Sequence, residues 1–261
     1  AEEIGLKDYK FVNASGLNNA NLYGMHPKGT GPTDENIMPA SSVAKLAYHL
    51  LKDHPEVLET ASIAKKTFRE GTEDAIEMSN WNFMLPGLVY EYEGVDGLKT
   101  GTTDYAGHSF TGTAKRGDKR LIAVVMKAVD SKGEGSYKAR FDATAKLFDY
   151  GFAQFDTVEV LPANYVFEDQ KTIAVTKGKE ESVKIGTTEA VSFMMNTNEK
   201  ESYKPKLVLN ETELEADVKA GTVVGKVVFE REGAEDYGFI DGKTIQVDVV
   251  TLEDVERKGG I

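Results

Sequence analysis

A lysine, a threonine and a glycine stand side by side at Lys99, Thr100 and Gly101. On the edge of a strand, a glycine lets a ligand backbone lie close, because it has no Cβ. A lysine there places a positive charge beside a reacting group, and a threonine adds a hydroxyl donor. The backbone N–H of Thr102 can point at a developing oxyanion. The segment predicts one wall of a catalytic cleft, with a chance triplet in a glycine-rich turn as the competing interpretation.

The elements around this triplet are predicted to be antiparallel strands followed by a helix. Residues 107–114 and 120–129 are two extended runs, and Gly117 between them supplies the turn of a hairpin. Because the Lys-Thr-Gly strand comes directly before them, three consecutive antiparallel strands are expected. Residues 137–150 are predicted to form a helix that ends at Tyr150-Gly151-Phe152. Helical spacing predicts an apolar face made of Ala139, Ala143, Leu147 and Phe148.

Ahead of the triplet, the sequence predicts a long loop and a helix. Residues 24–39 are rich in glycine and proline, which indicates irregular structure. A helix then begins with Ser41 or Ser42 as its cap, and Pro55 ends it. The first six residues are typical of the tail of a helix, or else of a trimmed mature N-terminus. The apolar face of the helix is predicted to carry Val43, Leu46, Ala47, Leu50 and Leu51.

The sequence pattern changes near Phe155-Asp156, where a domain boundary is predicted. Residues 1–155 mix helices with strands, whereas residues 156–261 carry short strand patterns separated by turns. The predicted fold class is α+β, with an antiparallel sheet and helices followed by a small all-β sandwich. The strands predicted for the second domain are residues 157–161, 172–175, 206–209, 223–229 and 244–250.

Composition narrows the range of functions. The formal charge of −12 argues against nucleic acid as a partner, because phosphate binding needs clustered lysine and arginine. The chain has no cysteine, so thiolate chemistry and zinc-thiolate sites are excluded. The four histidines show no metal-ligand spacing, and no glycine-rich phosphate loop follows a strand. No cofactor and no metal are predicted, and no apolar run is long enough to span a bilayer.

Further motifs around the triplet match a known family. Asn80-Trp81-Asn82 precedes the lead-in Gly94-Val95-Asp96-Gly97-Leu98, and Arg140 precedes Lys146-Leu147-Phe148-Asp149-Tyr150-Gly151. With these motifs the chain resembles the low-molecular-mass penicillin-binding proteins, the serine-type D-alanyl-D-alanine carboxypeptidases of peptidase family S11. The tail adds a weaker match at Ala220-Gly221-Thr222-Val223-Val224-Gly225-Lys226. The resemblance implies part of a β-lactamase/transpeptidase-like domain, followed by the β domain of that family.

The resemblance also implies a function and roles for individual residues. The family trims the terminal D-Ala of peptidoglycan stem peptides outside the cytoplasmic membrane, through an acyl-serine that β-lactam antibiotics also form. Lys99 would help to bind substrate and assist proton transfer, and Thr100 and Gly101 would line the cleft. The N–H of Thr102 would be an oxyanion donor, and Arg140 would bind the terminal carboxylate. The amphipathic C-terminal membrane anchor of the family is expected to be absent from these 261 residues.

Two motifs of the family are missing from these 261 residues. The nucleophile lies in Ser-x-x-Lys and the second motif is Ser-x-Asn, and both precede Lys-Thr-Gly. Ser42-Val43-Ala44-Lys45 fits the first pattern, but we interpret it as a capping serine and a solvent-facing lysine. No Ser-x-Asn triplet occurs. The chain is therefore predicted to be the C-terminal part of such an enzyme and inactive alone. A non-catalytic cell-wall-binding module and a β-lactamase relative are the alternatives.

Overall fold

A computed structural model of the chain describes residues 1–233 and 238–259. These residues form two compact units, Ala1–Ala153 and Gln154–Ile261. The first unit combines helices with a sheet and the second is built of strands, which confirms the predicted α+β class. The elements of the first unit, in chain order, are α1 (Ala40–Asp53), α2 (Val57–Ala61), β1 (Lys65–Phe68), β2 (Ile76–Ser79), β3 (Val95–Thr103), β4 (Gly107–Arg116), β5 (Lys119–Val125) and α3 (Tyr137–Gln154).

The centre of the first unit is an antiparallel sheet of three strands in the order β3-β4-β5. This confirms the predicted meander, and Gly117 makes the hairpin turn with a φ of +59°. Strand β5 ends at Val125, so the prediction that it continues to residue 129 was wrong. Lys127 adopts a left-handed φ of +50° there, which turns the chain out of the extended conformation.

Helix α3 packs against this sheet, and its extent and buried face differ from the prediction. It continues past Gly151 to Gln154, and a Cβ at position 151 would lie 2.6 Å from Cδ1 of Leu121. Gly151 therefore permits close packing instead of ending the helix. Leu147, predicted on the apolar face, is 46% exposed. The buried residues of α3 are Ala139, Arg140, Phe141, Thr144, Phe148 and Gly151.

The start of helix α1 also corrects the sequence prediction. The helix begins at Ala40 after Pro39, and no side chain caps it. Ser42 lies inside the first turn and is buried, and its hydroxyl donates to the backbone carbonyl of Lys7 at 2.6 Å. It therefore fastens the N-terminal segment to α1 instead of capping the helix. Residues 1–6 form hydrogen-bonded turns and not a helix, with the N–H of Leu6 donating to the carbonyl of Ala1.

The second unit consists of two sheets around one apolar core. A six-stranded sheet has the order β10-β12-β13-β8-β7-β11, and a two-stranded sheet pairs β6 with β9. Side chains from both sheets, such as Leu161, Phe193 and Val227, share a single buried cluster. All five predicted strands are present, and β8, β9 and β11 were not predicted. The strands are β6 (Phe155–Leu161), β7 (Thr172–Thr176), β8 (Ser182–Gly186), β9 (Val191–Asn196), β10 (Tyr203–Leu209), β11 (Glu213–Glu215), β12 (Val223–Arg231) and β13 (Gln246–Thr251).

None of the helices in the described part of the chain is long and apolar enough to cross a membrane. The segment at the end of the sequence, in which no amphipathic continuation was expected, includes Gly260 and Ile261. These two residues lie outside the described residues.

Candidate active site

A cleft of about 540 Å³ lies against the exposed edge of the sheet in the first unit. Strand β3 pairs with β4 on one side and is the edge strand on the other, so it forms one wall of the cleft. All five residues named from the sequence lie in this wall or on α3 beside it. The functional roles assigned to them stay predictions. The lining consists of Ser15, Gly16, Leu17, Trp81, Lys99, Thr100, Gly101, Thr102, Thr103, Tyr137 and Arg140.

Lys99 and Gly101 lie on the open side of this wall. The Lys99 side chain is exposed, and its Nζ donates to the carbonyl of Thr100 at 2.6 Å. A Cβ at Gly101 would meet nothing within 4 Å, so the space beside its backbone is open to a ligand. A ligand can therefore lie along the strand edge, within reach of the ammonium group.

Arg140 lies beneath the strand and not out in the cleft, with only 1% of its surface exposed. Its Nη1 donates to the carbonyl of Gly101 at 3.2 Å and to Oγ1 of Thr102 at 3.1 Å. Nη1 also lies 3.4 Å from the carbonyl of Ser109, and Nε has no hydrogen-bond partner among the described residues. Burial lowers the pKa of this guanidinium, although an arginine stays charged in proteins. Arg140 therefore puts a fixed positive charge under Thr102.

The loop before β3 is held by two asparagines that flank Trp81. Nδ2 of Asn80 donates to the carbonyls of Ala61 and Ile63 at 3.2 and 3.1 Å. Asn82 is buried, and its Nδ2 donates to the carbonyl of Gly97 at 3.2 Å. These bonds fix the backbone on both sides of the indole ring, which itself remains exposed.

A second anchor fixes the start of β3. Both carboxylate oxygens of Asp96 accept from Arg120, each at 2.8 Å. The same guanidinium donates to Oγ1 of Thr113 at 3.0 Å. This two-point contact ties β3 to β5 through a planar, directional pair, and so fixes the strand that carries Lys99.

Sequence patterns alone did not assign cleft roles to the aromatic residues or to the turn at Ser15. Trp81 and Tyr137 line the cleft with ring centroids 6.1 Å apart, and His108 packs edge-on against Tyr137 at 5.0 Å. Nδ1 of His108 lies 3.3 Å from Oγ1 of Thr102. The Asn-Trp-Asn motif was the available signal, since paired asparagines in a loop fix a backbone and leave the side chain between them exposed.

The serines that match the nucleophile pattern do not lie in the cleft. Ser42 is buried against Lys7, and Lys45, predicted to face solvent, is half-buried with Nζ 3.3 Å from the carbonyl of Gly5. A second match, Ser62-Ile63-Ala64-Lys65, was missed in the sequence. It runs from the end of α2 into β1 and not from the start of a helix. Ser15 does line the cleft, but its hydroxyl donates to Oδ1 of Asn13 at 2.8 Å.

An edge strand that bears Lys-Thr-Gly and lines a cleft carries one of the motifs of the penicillin-binding serine acyl-transfer proteins. The D-alanyl-D-alanine carboxypeptidase family matches residues 1–130, and the C-terminal domain of penicillin-binding protein 5 matches residues 155–257. The chain belongs to this carboxypeptidase family.

Individual relatives agree with this assignment. D-alanyl-D-alanine carboxypeptidase DacC of Escherichia coli is 33% identical over 84% of this chain and 49% of that protein. DacA of the same organism is 30% identical over 97% of this chain and 55% of that protein. The chain therefore spans about half the length of these curated relatives.

Solved structures show the same fold. A peptidoglycan synthesis regulatory factor, PBP3, from Streptococcus pneumoniae superposes with a TM-score of 0.67 at 31% identity. The alignment covers 98% of this chain and 67% of that one. Penicillin-binding protein 5 from Haemophilus influenzae gives a TM-score of 0.58 at 27% identity, over 98% of this chain and 63% of that one.

Proposed function

We propose that this chain supplies the Lys-Thr-Gly wall of a serine-type D-alanyl-D-alanine carboxypeptidase. The enzyme removes the terminal D-Ala of peptidoglycan stem peptides through an acyl-serine, and β-lactams acylate the same serine. The observation that carries the proposal is the convergence of Lys99, Thr102 and Arg140 on one cleft in the first unit. The catalytic domain is assigned to residues 1–155 and the β domain to residues 156–261. The site of action is the outer face of the cytoplasmic membrane, where peptidoglycan lies.

The geometry around the cleft supports the following roles. A terminal carboxylate accepts from the Thr102 hydroxyl and is further stabilised by the guanidinium 3.1 Å behind that oxygen. Lys99 adds a second, mobile positive charge and is available for proton transfer. The N–H of Thr102 is one oxyanion donor. The positive charges of Lys99 and Arg140 therefore orient the C-terminal carboxylate of an acyl-D-Ala-D-Ala peptide along the open strand edge at Gly101.

The covalent step requires a serine that is activated by a lysine or another base. The serine in the cleft, Ser15, hydrogen-bonds Asn13, and the two Ser-x-x-Lys matches lie outside the cleft lining. The proposal is therefore that the chain by itself binds the ligand but is not acylated.

Binding of N-acetyl-D-alanyl-D-alanine, measured by NMR titration against its C-terminal amide, tests this function. We expect the carboxylate form to bind and Lys99→Ala to weaken it by about tenfold, the loss of one charge-assisted contact. Lys115→Ala is the matched control, because Lys115 is an exposed lysine of β4 that does not line the cleft. Equal binding of acid and amide would overturn the carboxylate assignment.

Labelling with a fluorescent penicillin tests the covalent step separately. We expect no adduct on the 261-residue chain, since no activated serine lines the cleft. Intact-mass spectrometry of the same sample detects any adduct, and peptide mapping locates it. An adduct on Ser42 or Ser62 would show that the nucleophile lies within this chain.

A further inference from the structure

The hydroxyl of Thr102 lies within hydrogen-bonding distance of two nitrogen-bearing side chains. Nη1 of Arg140 donates to Oγ1 of Thr102 at 3.1 Å, and Nδ1 of His108 lies 3.3 Å from the same oxygen. A guanidinium can only donate, whereas an imidazole nitrogen donates or accepts according to whether it carries a proton. The direction of the hydrogen bond between Thr102 and His108 therefore depends on the protonation of the ring.

The His108 ring is held beside Thr102 by its surroundings. Strands β3 and β4 pair these two residues directly, and the N–H of Ala128 donates to the carbonyl of His108 at 2.8 Å. The ring packs edge-on against Tyr137, with centroids 5.0 Å apart. A Cβ at Gly135 would lie 3.3 Å from Cδ2 of the ring, so the backbone there also lies close to it. The imidazole and the hydroxyl therefore stay adjacent in both protonation states.

The Thr102 hydroxyl has one proton to donate and two lone pairs that accept. The bond from Arg140 occupies one lone pair. A neutral His108 ring accepts the hydroxyl proton at Nδ1 and carries its own proton on Nε2, since the partner of one ring nitrogen sets the proton of the other. The charged ring donates from Nδ1 to the second lone pair instead. The hydroxyl proton of Thr102 is then free to point into the cleft, which this residue lines.

Charge acts in the same direction as hydrogen bonding. Among the described residues, His49 and His54 lie beside a carboxylate and His108 does not. A charged His108 ring and Arg140 both contact Thr102, so an anion at the Thr102 hydroxyl is attracted by two positive groups instead of one. The charged or titratable side chains on the elements around the ring are Lys99, Asp104, Lys127, Glu134, Tyr137 and Arg140.

We propose that His108 is a positioning residue that makes the binding of a carboxylate at Thr102 depend on pH. The charged ring frees the Thr102 hydroxyl for the ligand, and the neutral ring withdraws it. The inference rests on the proposed function, since it takes Thr102 to hold the terminal carboxylate. Carboxylate binding and protonation of His108 favour each other by linkage. The chain therefore binds an acyl-D-Ala-D-Ala end more tightly in mildly acidic than in mildly alkaline solution.

NMR titration of the 261-residue chain with N-acetyl-D-alanyl-D-alanine at about pH 5.5 and about pH 8 tests the proposal, because histidine is the side-chain type that changes charge in this range. The ligand is ionised at both values, since a C-terminal carboxyl group titrates near about pH 3.5. We expect binding about fivefold tighter at the lower pH, the contribution of one hydrogen bond. The C-terminal amide of the ligand, titrated in the same buffers, is the control for the carboxylate.

Variants assign the pH dependence to His108. His108→Phe keeps an aromatic ring against Tyr137 but cannot accept from Thr102, so its affinity is expected to be equal at both pH values and higher than that of the unmodified chain at about pH 8. His108→Asn, a second non-titrating variant, is also expected to lose the pH dependence. His54→Asn is the matched control, because His54 is exposed and does not line the cleft, and it should retain the fivefold ratio.

The outcomes separate the role of His108 from the proposed function. Equal affinity at both pH values in the unmodified chain, with the acid still preferred over the amide, would overturn the role of His108 and leave the function standing. A pH dependence that persists in both His108 variants would do the same. Weaker binding by both variants at both pH values would reduce His108 to a support of the fold. Equal binding of acid and amide would overturn the carboxylate assignment and the function built on it.

Discussion

The two units of the chain use their interiors differently. In the second unit, buried valine, isoleucine and leucine residues alternate with exposed residues along the strands, and they meet in one apolar core. In the first unit, the core is aromatic, with Phe110, Phe141 and Phe148 at its centre. The buried polar residues of the first unit are Asn19, Ser42, Asn82, Thr113, Arg140 and Thr144, and those described in the second are Thr187 and Thr251.

The buried polar residues of the two units differ in what they bind. Asn82 and Arg140 each donate to a backbone carbonyl of β3, so they fix the wall of the cleft from its buried side. In the second unit, Thr251 donates to the carbonyl of Lys219 at 2.6 Å, and Thr187 accepts from the N–H of Tyr165 at 3.1 Å. These two hydrogen bonds fasten the loops at Lys219 and Tyr165 to the β domain. Buried polar groups that make hydrogen bonds specify geometry at some cost in stability, and Asn82 and Arg140 place that constraint at the candidate site.

The largest effect is expected from the aromatic core of the first unit. Phe148→Ala removes a fully buried ring that packs on Tyr92 and Phe152, and should cost about 3–5 kcal/mol. Val227→Ala in the second unit removes less volume and should cost about 2 kcal/mol. Urea unfolding followed by Trp81 fluorescence and by far-UV circular dichroism measures both. Equal losses would remove the contrast between the two cores.

Glycines allow a second comparison of the two units, because some lie against a neighbouring strand and others face open space. A Cβ at Gly225 would lie 2.4 Å from the carbonyl oxygen of Val208 on the paired strand β10. Gly225→Ala should therefore force two strands apart and cost about 1–3 kcal/mol in thermal or urea unfolding. Gly259→Ala is the control, because a Cβ there meets nothing within 4 Å and the residue has no positive φ. Gly221 is unsuitable because its φ is +86°. An unchanged midpoint for Gly225→Ala would contradict the observed strand spacing.

A pH-dependent effect is expected at Tyr92 in the first unit. Burial, together with the hydrogen bond to Asp149, raises the pKa of the Tyr92 hydroxyl from 10.0 to about 12. Because the folded protein holds this proton more tightly than the unfolded chain, the resulting stability is complete below pH 10 and is lost as pH rises towards 12. Tyr92→Phe should cost about 1 kcal/mol at neutral pH.

The same variant serves as the control for that pH dependence. The difference in unfolding free energy between the wild-type chain and Tyr92→Phe should shrink between pH 10 and 12, because the contribution of the hydroxyl disappears. A difference that stays constant over this range would mean that the bond to Asp149 does not hold the proton.

The smallest effect on stability is expected at Gly101, although its effect on binding is larger. A Cβ there meets nothing within 4 Å, so Gly101→Ala should change stability by less than about 0.5 kcal/mol. The added methyl group occupies space beside the strand edge and should weaken the binding of N-acetyl-D-alanyl-D-alanine by about tenfold. Unfolding and NMR titration of one sample measure both quantities. Loss of stability together with binding would mean that this glycine serves the fold and not the cleft.

Local sequence signals predicted the three strands of the central sheet and the hairpin at Gly117, and motifs indicated the family. The predictions failed where packing overrides propensity. Gly151 was expected to end α3, but it lies inside the helix in close contact with the side chain of Leu121. Ser42 fits a helix cap by type, but the backbone of Lys7 takes its hydroxyl. Leu147 fits the helical period, yet Arg140 and Thr144 occupy the buried face instead. The errors at Gly151 and Ser42 concern partners that are distant in the sequence.

The sequence by itself determined that Lys99, Thr100 and Gly101 lie on a strand, that Arg140 lies on a helix after it, and that a β domain follows. Those facts depend on local periodicity, turn residues and motif spacing. Only the tertiary structure decided that Arg140 lies beneath the strand instead of in the open cleft, and that Trp81 and Tyr137 meet beside it. The physical reason is that burial and side-chain contact depend on residues tens of positions apart, which spacing along the chain does not encode.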